Sequence, residues 1–170
     1  MRTPVILASA LLAVAATASP AVAAKPEPVP TPPTETIGHL CGGITIAVIK
    51  NNAKVTSEAD GSGFTEHVRG NFVQQVTSLR TGRSVVVRTP GRVHVVGTRE
   101  RVTISNSGRT FLLAFGELQA EAHRGAGLPD VAIVSGRVVI TRTLDPVTGA
   151  PVDDDITYTG HVTDVCELLE

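Results

Sequence analysis

Hydrophobic and polar residues alternate with a period of two over most of the chain between Ile44 and Val165. Alternation of this kind is typical of β-strands that bury one face and expose the other. The runs that show it, or that are rich in β-branched residues, are ITIAVI (44–49), FTEHV (64–68), NFVQQVTSL (71–79, ambiguous in phase), RSVVVR (83–88), RVHVV (92–96), RVTIS (101–105), TFLLAF (110–115), VAIVSGRVVITRT (131–143) and ITYTGHVTDV (156–165). The pattern therefore predicts about eight or nine short strands.

Glycine followed by arginine separates several of these runs, in TGR (81–83), PGR (90–92), SGR (107–109) and SGR (135–137). Glycine supplies the positive φ that tight hairpin turns need. We predict hairpin turns at these positions, with a bulge inside one long strand as the alternative at Gly136. Only GELQAEAHRG (116–125) could form a helix, and a loop fits equally well there.

Short strands joined by tight turns predict an all-β domain. We expect an antiparallel β-barrel of about eight strands, with a β-sandwich as the alternative. The residues on the predicted inner phase are aliphatic and small: Ile44, Ile46, Val48, Val102, Ile104, Ala132, Val134, Val138 and Ile140.

The first residues have the order of a secretory signal peptide. Arg2 precedes an apolar run, and small residues end at Ala23 and Ala24 before Lys25. The run is too short and too rich in alanine for a spanning helix, which needs about 20 strongly apolar residues. We predict a signal peptide at 1–24, a proline-rich extended linker at 25–38 that builds no core, and a single β domain at 39–170. The mature protein is expected outside the cell and away from the membrane.

Two cysteines, Cys41 and Cys166, lie at the two ends of the predicted domain. Cysteines of exported proteins normally pair. We predict a disulfide between them that joins the first and last strands and closes a loop of about 125 residues, which the chain-entropy model values at about 5 kcal/mol. A catalytic or metal-binding cysteine is the alternative.

The motifs TSLRTGRSVVVRTPGRV, SGRVVITRT and GHVTDVCELL together resemble a group of small secreted actinobacterial proteins. Those proteins carry a signal peptide, a Thr-Gly-Lys/Arg turn after a strand and a near-terminal Gly-His-x-x-Asp-x-Cys. The resemblance covers most of residues 41–170. It implies an exported all-β domain, and it implies no particular activity.

Composition narrows the range of partners. The formal net charge is −1, the arginines are scattered along the chain, and there is no tryptophan, one tyrosine and four phenylalanines. A near-neutral chain with few aromatic rings lacks the basic patch and stacking surfaces of nucleic-acid-binding proteins. We therefore expect no nucleic-acid partner.

Carboxylates cluster in LDPVTGAPVDDD (144–155), at Asp145, Asp153, Asp154 and Asp155. Calcium takes six to eight oxygen ligands, and a loop with several carboxylates can supply some of them. The spacing does not match an EF-hand, and a solvated acidic hairpin is the simpler interpretation.

Two histidines, His39 and His161, flank the predicted disulfide, with Asp164 close by in sequence. A histidine pair with a carboxylate can bind zinc or transfer protons. However, His161 shares the polar phase of its strand, as His67 and His94 do in theirs. Solvent-exposed histidines are therefore the simpler interpretation, and we expect no metal or other cofactor.

A carboxyl on an apolar phase is the main indication of an enzyme. Glu66 shares a phase with Phe64 and Val68, and Gln74 or Gln75 lies on the next run. A buried glutamate has a raised pKa, which suits a catalytic acid or base. An exposed sheet edge is the alternative.

The sequence favours a binding or interaction module over an enzyme. An aliphatic barrel either is filled by its own side chains or holds one small apolar ligand. The first alternative is a barrel-lumen isomerase or cyclase that uses Glu66 or Tyr158, with a polar cluster interrupting the aliphatic lining. The second is a packed structural or inhibitor-like module that contacts an extracellular protein through loops such as 116–130 and 144–155. The sequence sets neither the ligand nor the oligomeric state.

Overall fold

The computed structural model describes residues 25–170; the predicted signal peptide at 1–24 lies outside the described residues. Within this described part of the chain, nine strands and two helices follow one another. They are β1 (Glu27–Pro28), β2 (Glu35–Ile37), β3 (Ile44–Asn51), β4 (Lys54–Ala59), β5 (Phe64–Ser78), β6 (Ser84–Gly97), β7 (Arg101–Leu113), α1 (Glu117–Ala126), β8 (Val131–Leu144), β9 (Pro151–Asp164) and α2 (Val165–Leu169).

All nine strands belong to one antiparallel sheet with the order β1-β4-β5-β6-β7-β8-β9. The long strand β5 has two partners on one side: β4 pairs with residues 64–69 and β3 with residues 72–78, while β2 extends the sheet beyond β3. No ladder within residues 25–170 joins β9 to the opposite edge. The structure thus confirms an all-β antiparallel fold, and its strand pairing does not close the expected barrel.

A row of five directly paired glycines crosses the sheet: Gly70, Gly91, Gly108, Gly136 and Gly160. Four of the five, all except Gly91, have positive φ, between 120° and 155°. A Cβ at Gly136 would overlap the carbonyl oxygen of Thr159, and a Cβ at Gly160 would overlap that of Ser135. Neighbouring backbones approach so closely here that only glycine fits both the space and the conformation.

The glycine row also marks where the sheet divides. β6 and β7 pair only from Gly91 to Gly97 and from Val102 to Gly108, so their remaining halves separate. One core cluster combines Ile44, Ile46, Val76 and Val87 with Val131 and Ile133 of β8 and with α2. A second cluster lies under α1 and combines Leu112, Ala132, Val134, Val138 and Ile156 with Ala122 and Leu128.

The glycines explain the main difference from the predicted elements. Hairpin turns were expected at Gly91 and Gly108, yet both lie inside long strands, and each of β5, β6 and β7 spans two predicted runs. Gly136 is inside β8 without a bulge, because pairing with β9 continues through it. The turn at 81–83 is present, with Gly82 at φ 72°. The segment 116–125 is helical, as one of its two interpretations predicted.

The proline-rich segment is extended, as expected, but it belongs to the sheet. β1 pairs with β4 and β2 pairs with β3, and Ile37 is 5% exposed within the first core cluster. Asn51 Nδ2 donates to the carbonyl of Val29 at 2.7 Å. The sequence reasoning missed this pairing because two- and three-residue strands carry no readable alternation.

The predicted disulfide is confirmed. Cys41 and Cys166 are bonded, with Cα atoms 5.0 Å apart, across 125 positions of sequence. Cys166 lies in α2, whose N-cap Asp164 accepts a hydrogen bond from the Cys166 amide at 2.8 Å. Thr81 Oγ1 donates to the carbonyl of Leu169 at 2.8 Å, which ties the C-terminus to the β5–β6 turn. No helix between Lys25 and Glu170 is long and apolar enough to cross a membrane.

Candidate functional site

A cavity of about 380 Å³ opens between the sheet, α1 and the N-terminal segment. Its walls are largely apolar because the inward phases of five strands meet there. The apolar lining includes Ile46, Val48, Phe72, Ile104, Leu112, Ile140 and Ile156, with Pro32 and Pro33 from the N-terminal segment. Ile104, Ile140 and Ile156 are direct cross-strand partners, so they form one continuous row on β7, β8 and β9.

Polar groups interrupt this lining on the same face of the sheet. Arg142 and Asp154 are cross-strand partners that also line the cavity. They form the next row on this face, two residues along their strands from Ile140 and Ile156. The Arg142 Nε and Nη2 atoms donate to the two carboxylate oxygens of Asp154 at 2.7 and 2.8 Å. The two side chains are 19% and 2% exposed. A bidentate pair of this kind holds both planar groups in one geometry.

Hydrogen bonding to Asp154 raises the pKa of Arg142, although burial opposes it. The guanidinium is therefore charged at any physiological pH. Because the two charges are mutually satisfied, the pair gives the cavity a fixed dipole and no net charge.

Two further polar atoms at the cavity have no partner among the described residues. Asn106 Oδ1 and Thr110 Oγ1 are buried and make no hydrogen bond, and both residues line the cavity from β7. Leaving such a group unsatisfied costs about 1–3 kcal/mol. A hydroxyl or amide donor placed within hydrogen-bond distance of these oxygens would remove this cost.

α1 contributes His123, which is 2% exposed and lines the same cavity. Its Nδ1 lies 2.7 Å from the carbonyl oxygen of Pro129. Because a carbonyl can only accept, Nδ1 carries the proton, and in a neutral ring Nε2 is then the acceptor. β7 and the helix that follows it thus bring both an apolar surface and an imidazole to the cavity.

The predicted candidates Glu66 and Tyr158 do not line the cavity. Glu66 is 8% exposed on the inner face of β5; its Oε1 accepts from the Ser57 hydroxyl at 3.3 Å and its Oε2 has no partner among the described residues. Burial raises the pKa of Glu66, and the Ser57 hydrogen bond partly opposes the rise. Tyr158 is half-buried and packs on the second core cluster under α1. The structure does not bring these two side chains to one site.

The four acidic candidates are distributed over a turn and two faces of a strand. The Asp145 carboxylate accepts from the amides of Val147 and Thr148 and from the Thr148 hydroxyl, which lowers the pKa of Asp145. β9 begins at Pro151, so Asp153 and Asp155 are exposed on one face while Asp154 is buried on the other. No group of three histidine, cysteine or acidic residues in the described part of the chain could hold a metal ion.

The histidine candidates His39 and His161 are both exposed. Asp164, the carboxylate expected beside them, caps α2 instead. Gln74 lines the cavity, whereas Gln75 points to the Ser84 hydroxyl, to which its Nε2 donates at 3.2 Å.

No protein-family model matches this chain, and neither the curated proteins nor the solved structures contain a significant match.

Sequence reasoning missed Arg142, Asp154 as an inward group, Asn106, Thr110 and His123. A signal for the ion pair was present, since Arg142 follows Ile140 and Asp154 precedes Ile156 on the apolar phase of their strands. No such signal marked His123, because α1 was an uncertain helix and its covered side depends on packing against β9.

Proposed function

We propose that this protein binds a small, largely apolar molecule in the cavity between the sheet and α1, as a carrier or sensor of that molecule. One observation carries the proposal: Asn106 and Thr110, which line this largely apolar cavity, each have a buried side-chain oxygen without a partner among the described residues. The ligand would carry a hydroxyl or amide group at this end and an aliphatic or ring body along the isoleucine row.

The size and composition of the cavity support this proposal. A volume of about 380 Å³ falls in the range of small-molecule sites, which combine apolar walls with a few placed polar groups. The Arg142–Asp154 pair would orient the polar end of the ligand through its dipole, since both charges are already paired. The Pro32–Pro33 stretch lies at the cavity and would restrict entry.

We further propose that the protein acts outside the cell after export and that its curved sheet works as a partly closed barrel or sandwich around the ligand. The disulfide supports export because such bonds persist in oxidising compartments. The opposed packing of β3, β5 and β6 against β8 supports an enclosed interior.

A barrel-lumen isomerase or cyclase is the second candidate, supported by the presence of an imidazole at the cavity. In that case His123, with Nε2 as acceptor, would act as the base rather than Glu66 or Tyr158.

The first experiment is native mass spectrometry of the mature protein purified from its own host, in which a retained small molecule is expected. A medium-chain primary alcohol then serves as a defined probe, because it combines an apolar body with a single hydroxyl group. Thr110→Val removes the unpaired hydroxyl and should weaken the alcohol by up to about tenfold, in line with one lost hydrogen bond.

Thr103→Val is the matched control, because Thr103 lies on β7 but on the opposite face from the cavity. It should leave affinity unchanged. A protein that carries no molecule and does not bind the alcohol would refute the proposal. Conversion of the bound molecule that is lost when His123 is replaced would favour the isomerase or cyclase instead.

A further inference from the structure

A row of four cationic side chains and one serine, the cationic row, crosses the face of the sheet opposite the cavity. Lys54 of β4 pairs with Arg69 of β5, Arg69 pairs with Arg92 of β6, Arg92 with Ser107 of β7, and Ser107 with Arg137 of β8. All five residues are exposed. Residues far apart in sequence are thus placed about 4.8 Å apart, strand by strand.

A cleft of about 450 Å³ runs along this row from Arg69 to Arg137. On its other side lies a parallel row formed by His67, His94 and Ser105. The two imidazole rings are stacked, with centroids 4.6 Å apart and planes inclined by 13°. The cleft therefore has hydrogen-bond donors on both sides and the sheet backbone as its floor.

No carboxylate of residues 25–170 lines this cleft. Within residues 25–170 the ion pairs are Arg80–Glu170 and Arg142–Asp154, neither of which involves it. Beyond the row that contains the two histidines, the next row on the same face has an acidic residue at each end. These residues are Glu58 on β4 and Asp155 on β9. The chain as a whole carries nearly equal numbers of acidic and basic residues, so this face concentrates positive charge locally.

The direct opposition of Arg69 and Arg92 is unfavourable by itself, because like charges at facing cross-strand positions destabilise a sheet. An anion between the two guanidinium groups would convert this repulsion into two charge-assisted hydrogen-bonding contacts.

We propose that this cleft is a binding site for phosphate-type or sulfate-type oxyanions, separate from the cavity. Arg69, Arg92 and Arg137 donate to the anion oxygens, and the Ser107 hydroxyl donates between them. Guanidinium groups match such oxygens with two parallel N–H donors. The span from Arg69 to Arg137 covers three strand spacings, about 14 Å, which accommodates two linked groups better than one. The anion is either free or borne on a polymer.

Calorimetric titration of the mature protein with inorganic pyrophosphate at low ionic strength tests the site. We expect saturable one-to-one binding, weakened about tenfold or more by Arg92→Gln or Arg69→Gln, as for loss of a charged hydrogen-bonding partner. Arg83→Gln is the matched control, because Arg83 is exposed in the turn before β6, away from the cleft, and its substitution changes the net charge equally. It should bind like the wild type.

A second arm uses long-chain polyphosphate with the same variants. Binding of pyrophosphate identifies a free anion, and binding of the long chain alone, with the same dependence on Arg92, identifies groups borne on a polymer. The proposal is overturned if neither anion binds, if Arg92→Gln and Arg69→Gln bind like the wild type, or if Arg83→Gln loses as much affinity.

Stability gives an independent readout that a variant is folded. Without anion at low salt, Arg92→Gln should melt at the same temperature as the wild type or higher, because it removes the repulsion with Arg69. The anion that binds in the titrations should raise the melting temperature of the wild type more than that of Arg92→Gln. A wild type that neither pyrophosphate nor long-chain polyphosphate stabilises would contradict the site.

Discussion

The Arg142–Asp154 pair allows a quantitative test of how the interior is built. Replacing one partner leaves the other charge buried without compensation, which typically costs about 3–5 kcal/mol. The two single variants should differ. Arg142→Met leaves a carboxylate that is 2% exposed, whereas Asp154→Leu leaves a guanidinium that is 19% exposed and can partly reach water. We expect losses near about 5 and 3 kcal/mol, respectively.

The double variant, Arg142→Met with Asp154→Leu, should be close to the wild type. Paired charges replaced by apolar groups of similar volume are often neutral or stabilising, because both desolvation penalties disappear. We therefore expect it within about 1 kcal/mol of the wild type, with a large coupling energy in the double-mutant cycle.

Urea unfolding with the disulfide intact measures these free energies, followed by far-ultraviolet circular dichroism because the chain has no tryptophan. A loss below about 1 kcal/mol for Arg142→Met would show that the pair is not buried as described. If the double variant is as unstable as the less stable single variant, apolar side chains cannot replace the ion pair at these two positions.

Two further predictions concern Glu66 and the glycine row. The pKa of Glu66 is raised, so folded protein holds a proton that the unfolded chain releases, and stability falls as pH rises above the unfolded value of about 4.5. Glu66→Gln should lack this fall, so it should be more stable than the wild type at pH 7 but not at pH 4. Melting temperatures that change in parallel with pH for the two proteins would contradict this prediction. Gly136→Ala should cost about 3 kcal/mol or more, because φ is 155° and a Cβ meets backbone. Gly125→Ala, in open space on α1, should instead stabilise the protein by about 0.5 kcal/mol. Equal effects of the two substitutions in urea unfolding would argue against the close backbone approach at Gly136.

The alternation of residues was enough to predict the class of fold and the inward phase of most strands, and the two cysteines at the ends of the domain were enough to predict the disulfide. It could not predict strand length, because Gly91 and Gly108 read as turn residues in isolation. Their role depends on Gly70, Gly136 and Gly160 being opposite them, which is a property of register and not of any one segment. The short strands β1 and β2 were not predictable either, because only their pairing with β4 and β3 identifies them as strands.

The candidate site was harder to predict because its residues come from separate elements. Arg142 and Asp154 were detectable from phase, but Asn106, Thr110 and His123 become a site only when β7 and α1 pack together. The same limit concealed the cationic row. Arginines that look scattered along the sequence lie side by side once Arg69, Arg92 and Arg137 are aligned across the sheet.

The bond between Cys41 and Cys166 turns nearly the whole domain into a covalent ring. Any single cut of the backbone between these two positions leaves one connected molecule, whose fragments cannot diffuse apart. A protease that nicks an exposed turn, such as the one that Asp145 organises, would therefore not release a piece of the protein until the bond is also reduced.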